Sequence, residues 1–298
     1  MIGLSALSSP TLAQTESDLI NPWALIGDAL PAPAQGSDKS SYSVFNPVPL
    51  DQMRPFSTDR PGKTHSSLTV DAGHFQLESD FINYTYDRYA QSGQVTHAYS
   101  LATPIVKMGV TNWLDLEAAF AFYNHTQVTD RVSGVTQKGS GFGDVYLGGK
   151  INVFGNDSGA QSLGLLPFIK IPSAPDGVGN GVIEYTLNAP YTINLDTLWS
   201  ITLEPALGRL KNSADTGLHG DYSFLVNLNR PLFFKAVTAA LELAAEYSDQ
   251  GQATPRYTLD PSLQWLVAPQ LQLDAGAYIG LNKAAPDCTA YTGISFRF

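Results

Sequence analysis

The stretch W-L-D-L-E-A-A-F-A-F-Y, residues 113–123, alternates apolar and polar side chains with a period of two. Successive residues of a β-strand point to opposite faces, so Leu114 and Leu116 share one face while Asp115 and Glu117 lie on the other. Runs of about ten residues with this alternation recur further along the chain, separated by clusters of Gly, Asn, Asp, Ser and Pro. The pattern predicts an all-β protein with many strands.

The polar face of these runs decides between two kinds of all-β fold. It carries mainly Gly, Ala, Ser and Asn around isolated charges, a composition that fits the inside of a narrow barrel better than a sheet face exposed to water. We therefore expect a transmembrane, antiparallel up-and-down β-barrel with an apolar face toward lipid and a polar lumen. Eight charged residues have the parity of pore-lining positions: Asp115, Glu117, Asp144, Lys150, Glu204, Glu242, Glu246 and Asp274.

The composition agrees with a membrane barrel and excludes several other classes. Charged residues make up 15% of the chain, against about 25% in soluble globular proteins. The sequence contains no apolar run long enough for a membrane-spanning helix, and closed barrels are the other structures that span bilayers. A formal net charge of -10 argues against a nucleic-acid partner. With Cys288 as the one cysteine and no metal-ligand spacing among the five histidines, we expect no metal or cofactor.

The chain divides into three segments. Residues 1–13 have a short apolar run that ends in Thr-Leu-Ala, and we interpret them as a signal peptide whose basic start is clipped. Residues 14–73 are rich in Pro and Ser and form either a periplasmic segment or a plug in the lumen. Residues 74–298 form the barrel, and at about 19 residues for a strand and its connection they hold about twelve strands.

Prolines are expected to interrupt three of the twelve strands. Pro104, Pro167 and Pro190 fall within runs that otherwise alternate, and proline cannot donate a ladder hydrogen bond. Aromatic residues near strand ends fit the girdles that mark membrane interfaces: Trp113, Tyr123, Trp199, Tyr247 and Trp265.

The last four residues, S-F-R-F, form one more alternating strand. Phe296 and Phe298 share the apolar parity, and Arg297 lies on the other face. This strand resembles the terminal strand of bacterial outer-membrane barrels, which typically finishes in an aromatic residue that the barrel-assembly machinery recognises. The resemblance implies that Phe296 and Phe298 are an assembly signal.

Four further stretches resemble a bacterial outer-membrane family named for transporters of the meta-pathway of phenol degradation. They are STDRPGKT (57–64), TVDAGHFQLESDFINYTYDR (69–88), GFGDVYLGGKINVFGND (141–157) and LPFIKIPSA (166–174). The resemblance covers about residues 46–298 and is sharpest in the first half. It implies an outer-membrane barrel that takes up small, often aromatic compounds.

Two motifs resemble those of a nucleotide-binding protein and of a lipid hydrolase, but their sequence context argues against both functions. The sequence G-K-T at residues 62–64 lacks the first glycine of a phosphate-binding loop, because position 57 is Ser57. His219, Asp221 and Ser223 share one strand face, but their parity is inward, whereas outer-membrane lipid hydrolases present such residues to lipid. We therefore expect no enzyme.

Asp59, Arg60 and Lys63 precede the first strand, and two arrangements are open for them. They can fold into the lumen as a plug and pair with the inward charges, or they can belong to a loose periplasmic tail.

The sequence thus favours a channel of the bacterial outer membrane for passive uptake of small solutes, including aromatic or hydrophobic ones. Inward carboxylates would favour cations or neutral solutes over anions. The expected partners are membrane lipid, the solutes and the barrel-assembly machinery. Two alternatives remain: a closed structural or adhesive barrel in the same membrane, and a soluble all-β binding protein.

Overall fold

The computed structural model describes residues 38–88, 93–157, 159–196, 198–212, 217–232, 236–251 and 253–298. The expected signal peptide, residues 1–13, lies outside these residues, as does the N-terminal segment before residue 38. In the part of the chain that the structure describes, no helix is long and apolar enough to cross a bilayer.

Within the described residues, sixteen strands form one antiparallel sheet. In chain order they are β1 (Phe75–Asp87), β2 (Gln94–Leu101), β3 (Ile105–Thr111), β4 (Leu114–Ala119), β5 (Tyr123–Asp130), β6 (Thr136–Gly141), β7 (Val145–Phe154), β8 (Gln161–Ile171), β9 (Glu184–Asn188), β10 (Tyr191–Asn194), β11 (Ser200–Lys211), β12 (Leu218–Pro231), β13 (Val237–Ser248), β14 (Arg256–Ala268), β15 (Leu271–Gly280) and β16 (Cys288–Arg297).

These sixteen strands make twelve passes through the barrel wall. The first residues of β1, from Phe75 to Glu78, pair with β3, and its later residues, from Ile82 to Asp87, pair with β2. β2 and β3 are therefore two parts of one pass. In the same way β4 continues into β5 and β6 into β7, while β9 and β10 both lie between β8 and β11. The expected closed antiparallel barrel of about twelve strands is confirmed.

The first and last strands close the barrel. β1 pairs with β16 from Gln76, opposite Arg297, to Tyr86, opposite Cys288. The backbones of Phe75 and Phe298 exchange two hydrogen bonds of 2.9 Å, and their rings stack with centroids 5.9 Å apart. Closure pairs the backbone groups that a free sheet edge would leave exposed to lipid.

Two of the three expected proline interruptions occur. The wall is interrupted between Leu101 and Ile105, around Pro104, and between β9 and β10, at Pro190. The expectation for Pro167 is wrong, because β8 runs through it without a break. Pro167 is one of two consecutive residues within β8 that the ladder with β7 skips, so its missing N–H is not needed there.

The protein is polar inside and apolar outside. Among the described residues, thirty polar or charged residues are buried and only ten hydrophobic ones are. Leu116 and Leu207 lie on the outer face and are 50% and 54% exposed. An outer face rich in exposed apolar side chains is typical of the surface that a membrane barrel presents to lipid.

Residues 38–74 cover one end of the barrel, where Phe45 and Leu50 are exposed, and then enter the lumen, and we call them the plug. The plug starts beside the turn between β3 and β4, where the Val44 N–H donates to the Val110 carbonyl at 2.9 Å. A short 3-10 helix, Leu50–Gln52, follows. We call the barrel end with this turn and with Phe298 the turn end, and the opposite end, which carries the long connection 172–183, the loop end. The plug tip, residues 57–67, reaches up into the lumen and returns to β1.

Candidate functional site

The base of the plug is anchored on one buried carboxylate. Asp71 accepts hydrogen bonds from Lys39 Nζ at 3.1 Å, from the Arg54 backbone N–H at 3.0 Å and from Arg297 Nη1 at 3.1 Å. Beside these contacts, Val48, Met53 and Ala72 form a small hydrophobic core. The base therefore joins charge pairing to apolar packing.

Inward carboxylates of the wall hold the backbone of the plug. Glu78 Oε2 accepts the N–H groups of Asp59 and Arg60 at 2.9 and 3.0 Å. Glu242 accepts those of Lys63 and Thr64 at 3.0 and 2.8 Å. Further N–H donors are His65 to Glu204 at 2.6 Å and Val70 to Asp115 at 2.9 Å. An irregular segment has no sheet partners for its buried N–H groups, and these carboxylates supply the acceptors.

Arg60 connects the tip to two carboxylates of the wall. Its Nη1 lies 2.5 Å from Asp80 Oδ1, and its Nη2 lies 2.6 Å from Asp274 Oδ1. A Cβ atom on Gly293 would lie 2.3 Å from Arg60 Nη2, so only glycine leaves room for the guanidinium at that position of β16.

Asp59 connects the tip to two lysines of the wall. Lys107 pairs with Asp59, and Lys150 Nζ lies 2.7 Å from Asp59 Oδ1. Glu117 lies next to this group, with its Oε1 3.8 Å from Lys150 Nζ. Neither oxygen of Glu117 accepts a hydrogen bond within the part of the chain that the structure describes. The tip thus places one carboxylate between two buried lysines that also contact Glu78 and Glu117 of the wall.

Lys63 and His65 complete the contacts of the tip. Lys63 Nζ lies 3.0 Å from both Glu246 Oε1 and Thr258 Oγ1, and this pair is partly exposed. His65 Nδ1 lies 2.7 Å from Glu204 Oε1. Burial alone would lower the pKa of His65, but the Glu204 carboxylate outweighs it and raises the pKa to about 9. At neutral pH this contact is therefore an ion pair.

The tip separates two chambers. The outer chamber, toward the loop end, has a volume of about 520 Å³, and the inner chamber, toward the turn end, has about 460 Å³. Arg60, Pro61, Gly62 and His65 line both of them. The tip is thus a shared partition, and displacing it would join the two chambers.

The outer chamber combines charges with aromatic and aliphatic side chains. Its acidic residues are Asp59, Glu78, Asp80 and Asp144, and its apolar residues include Ile105, Phe120, Tyr146 and Val178. Lining residues also come from the two places where passes are split, between β4 and β5 and between β6 and β7. The rings of Phe120, Phe122 and Phe142 cluster there, with centroids 5.0 to 6.4 Å apart.

The structure places the eight predicted lining residues inside the barrel, and the plug covers most of them. Asp144 lines the outer chamber and accepts the Ser173 and Ala174 N–H groups at 3.0 Å. Glu246 pairs with Lys63 and, at 2.8 Å, with Arg256. The others are buried at the plug: Asp115, Glu117, Lys150, Glu204, Glu242 and Asp274. Their role in lining a solute path stays a prediction.

Sequence reasoning missed several residues of this site. Glu78, Asp80 and Lys107 lie at inward-facing positions of their strands, and the strand alternation could have predicted that they face the lumen. For Asp71, Arg54 and His65, which belong to an irregular segment, no periodicity exists to reveal their partners.

The group of His219, Asp221 and Ser223 lies away from both chambers. His219 Nε2 is 4.0 Å from Asp221 Oδ2, and the exposed outward neighbours on β12 are Tyr222 and Phe224. In the described residues no group of three or more His, Cys, Asp or Glu side chains is placed to hold a metal ion.

The closed wall, apolar outer face and plugged polar lumen define the class: a twelve-stranded antiparallel barrel of the outer-membrane type. Within this class, residues 58–298 match the family model described as "Putative MetA-pathway of phenol degradation", and the chain belongs to that family. The resemblance expected from the sequence is thereby confirmed.

Two solved structures illustrate the fold. The COG4313 outer membrane channel from Pseudomonas putida F1 is similar with a TM-score of 0.57 and 14% identity, over 76% of this chain and 95% of that chain. The transport unit of the autotransporter AIDA-I from Escherichia coli has a TM-score of 0.51 and 8% identity, over 76% of this chain and 90% of that chain. These identities are low and support the fold alone. No curated protein matches the chain.

Proposed function

We propose that the protein is a channel of the bacterial outer membrane, through which small solutes diffuse when the plug tip moves aside. One observation carries this proposal: two chambers lie on opposite sides of the same tip and share four of its residues. A barrel filled by wall side chains alone would not need a removable segment between two cavities.

The fold class supports an outer-membrane location and suggests an orientation. Outer-membrane barrels have short periplasmic turns and longer extracellular loops. The turn end, with the plug base and Phe298, then faces the periplasm, and the connection 172–183 faces outward. Phe298 lies at the seam between the first and last strands, where recognition by the barrel-assembly machinery would promote closure.

The outer chamber supports uptake of hydrophobic or aromatic solutes. Phe120 lines this chamber and also packs against Phe142 in the interrupted part of the wall, with centroids 5.5 Å apart. Phe122, in the same cluster, is 60% exposed on the outer surface. A continuous set of aromatic rings therefore leads from the apolar exterior to the chamber. Contact with these rings would remove the apolar surface of such solutes from water, which is favourable.

Displacement of the tip would also change the charge of the lumen. In the docked state Arg60, Lys63 and His65 pair with Asp80, Asp274, Glu246 and Glu204. Without these partners the carboxylates would face the path, so we expect the open channel to favour cations and neutral solutes over anions.

A closed structural or adhesive barrel is the second candidate, and the docked tip favours it. Each charged side chain of the tip has a partner on the wall, and three wall carboxylates hold its backbone. If these contacts never break, the two chambers stay separate and no solute passes.

Single-channel conductance in a planar bilayer separates the two candidates. We would compare the full chain with a variant in which residues 57–67 are replaced by a Gly/Ser linker of equal length. The channel proposal predicts rare openings of the full chain and steady, cation-preferring steps of the variant. Silence of a folded, inserted variant would reject the channel and leave the closed barrel.

A further inference from the structure

The inner chamber differs from the outer one in the chemistry of its lining. Among the described residues it carries six amide side chains, which include Asn227 and Asn229, and ten hydroxyl side chains, which include Thr64. Among the described residues that line it, none is a carboxylate or a lysine. This surface can donate and accept hydrogen bonds in many directions, and it offers few free charges.

The two basic residues of the lining are already paired. Arg60 contacts Asp274 and Asp80, and His65 contacts Glu204. An ion that entered the chamber would lose part of its hydration without gaining a free counter-charge, whereas a hydroxyl group would exchange water for amide and hydroxyl partners.

Two lining residues hold buried oxygens with unused hydrogen-bonding capacity. Thr64 Oγ1 and Asn227 Oδ1 have no partner among the described residues. The Asn227 amide nitrogen donates to Glu242 Oε2 at 3.1 Å, and the Thr64 backbone N–H donates to the same oxygen at 2.8 Å. Thr64 and Asn227 therefore meet at one oxygen of Glu242, in the wall of the inner chamber. Buried polar atoms without a partner are uncommon, and a small shift of these two side chains toward the chamber would give a solute hydroxyl two further acceptors.

We propose that the inner chamber is a binding site for small uncharged solutes that carry several hydroxyl groups. This inference rests on the proposed function, because the site lies on the proposed solute path. It adds a selection step to that path. The outer chamber accepts apolar surface, and the inner chamber selects for hydroxyl groups and against net charge. A volume of about 460 Å³ lies in the range of small-molecule sites.

Saturation-transfer NMR on the full chain in lauryldimethylamine oxide tests this site. This detergent has no sugar headgroup, and the buffer contains no glycerol, so neither competes for the chamber. The ligands are matched six-carbon rings: myo-inositol, cyclohexylammonium and cyclohexanecarboxylate. We expect saturable binding of myo-inositol that neither charged ring displaces.

Two variants locate the binding. Asn229→Leu removes one amide from the inner chamber and should weaken myo-inositol about tenfold, the value of a lost hydrogen bond at the upper end of its usual range. Asn124→Leu makes the same change in the outer chamber and should leave the affinity unchanged. Both variants must keep the gel mobility of the folded barrel.

The outcomes distinguish this site from the channel itself. Equal binding of a charged ring, an unchanged affinity of the Asn229→Leu variant, or no saturable binding of myo-inositol would each overturn the site. Flux of myo-inositol into liposomes without saturable binding would do the same and leave the channel intact. Binding without flux would support the site and count against the channel.

Discussion

The base and the tip of the plug are held in the barrel by different means. At the base, Lys39, Arg54 and Arg297 converge on the fully buried Asp71, next to apolar packing. At the tip, Arg60, Lys63 and His65 pair with carboxylates on different strands and border the chambers, and the Lys63 side chain remains 25% exposed. Among the described residues, the tip has one fully buried ionic contact, that of Asp59 with Lys107 and Lys150.

This difference suggests which part of the plug moves. Withdrawal of the base is costly, because it would separate the buried Asp71 from Arg297 of β16, and Lys39 and Arg54 from Asp157 in the turn after β7. Most of the tip can be released pair by pair, because Arg60, Lys63 and His65 border chambers whose water can hydrate each group as it separates, and the buried contact of Asp59 is the last to break. We infer that the base is a fixed anchor and that the tip is the gate.

Removal of the Asp71 charge should give the largest effect. Lys39 and Arg54 also contact Asp157, so Arg297 would be the cation left without a carboxylate. We expect Asp71→Asn to lower the free energy of unfolding by about 3 kcal/mol, the lower end of the range for a broken buried pair. Heat-modifiable gel mobility as a function of urea measures this. Asp51→Asn, an exposed carboxylate of the same segment, is the matched control and should leave the midpoint unchanged.

Loss of the Arg60 guanidinium should act on the gate instead of the anchor. Arg60→Met removes hydrogen bonds to two carboxylates, each worth about 1.5–3 kcal/mol, so the ratio of closed to open channels should fall at least about tenfold. Open probability in planar bilayers reports this ratio. An unfolding midpoint that drops as far as that of Asp71→Asn would contradict the separation of gate and anchor.

High pH should open the channel moderately through His65. The pKa of His65 is raised to about 9 in the docked tip by Glu204, with Asp59 and Lys150 as further charged neighbours. Because the pKa is raised, the ion pair of His65 and Glu204 stabilises the docked tip fully below the ordinary histidine pKa of about 6.5. This stabilisation is lost as the pH rises through about 9. Open probability should therefore increase between pH 7 and pH 10. His65→Gln should remove this step, and a step that persists in the variant would assign it to another group.

The pair of Lys63 and Glu246 should have the smallest effect. Both side chains are about one quarter exposed, and Glu246 keeps Arg256 as a second partner. We expect Lys63→Met to change the closed-to-open ratio by less than about fivefold, in line with partly exposed ion pairs. The same recordings that are used for Arg60→Met measure it, and an equal effect of the two variants would show that exposure does not rank the contacts of the tip.

The wall could be predicted from the sequence, whereas the plug network could not. Alternation in residues 113–123 placed Asp115 and Glu117 inside and Leu114 and Leu116 outside, because strand parity is a local property. The contact of Asp71 with Arg297 joins residues 226 positions apart and depends on the closed barrel. No local pattern encodes such a contact. Asp59, Arg60 and Lys63 stood out because they are charged, but their partners emerge only from the fold.

A reversible lock on the tip tests the central claim most directly. The hydroxyl oxygens of Ser67 and Ser162 lie 2.6 Å apart, so Ser67→Cys with Ser162→Cys, in a Cys288→Ser background, should form a disulfide between the tip and β8. The measurement is single-channel conductance before and after reduction. The account predicts that the oxidised channel stays closed and that a reductant restores the openings, while each single-cysteine variant ignores the reductant. Unchanged conductance through a fully formed disulfide would show that solutes pass without movement of the tip, and would contradict the account.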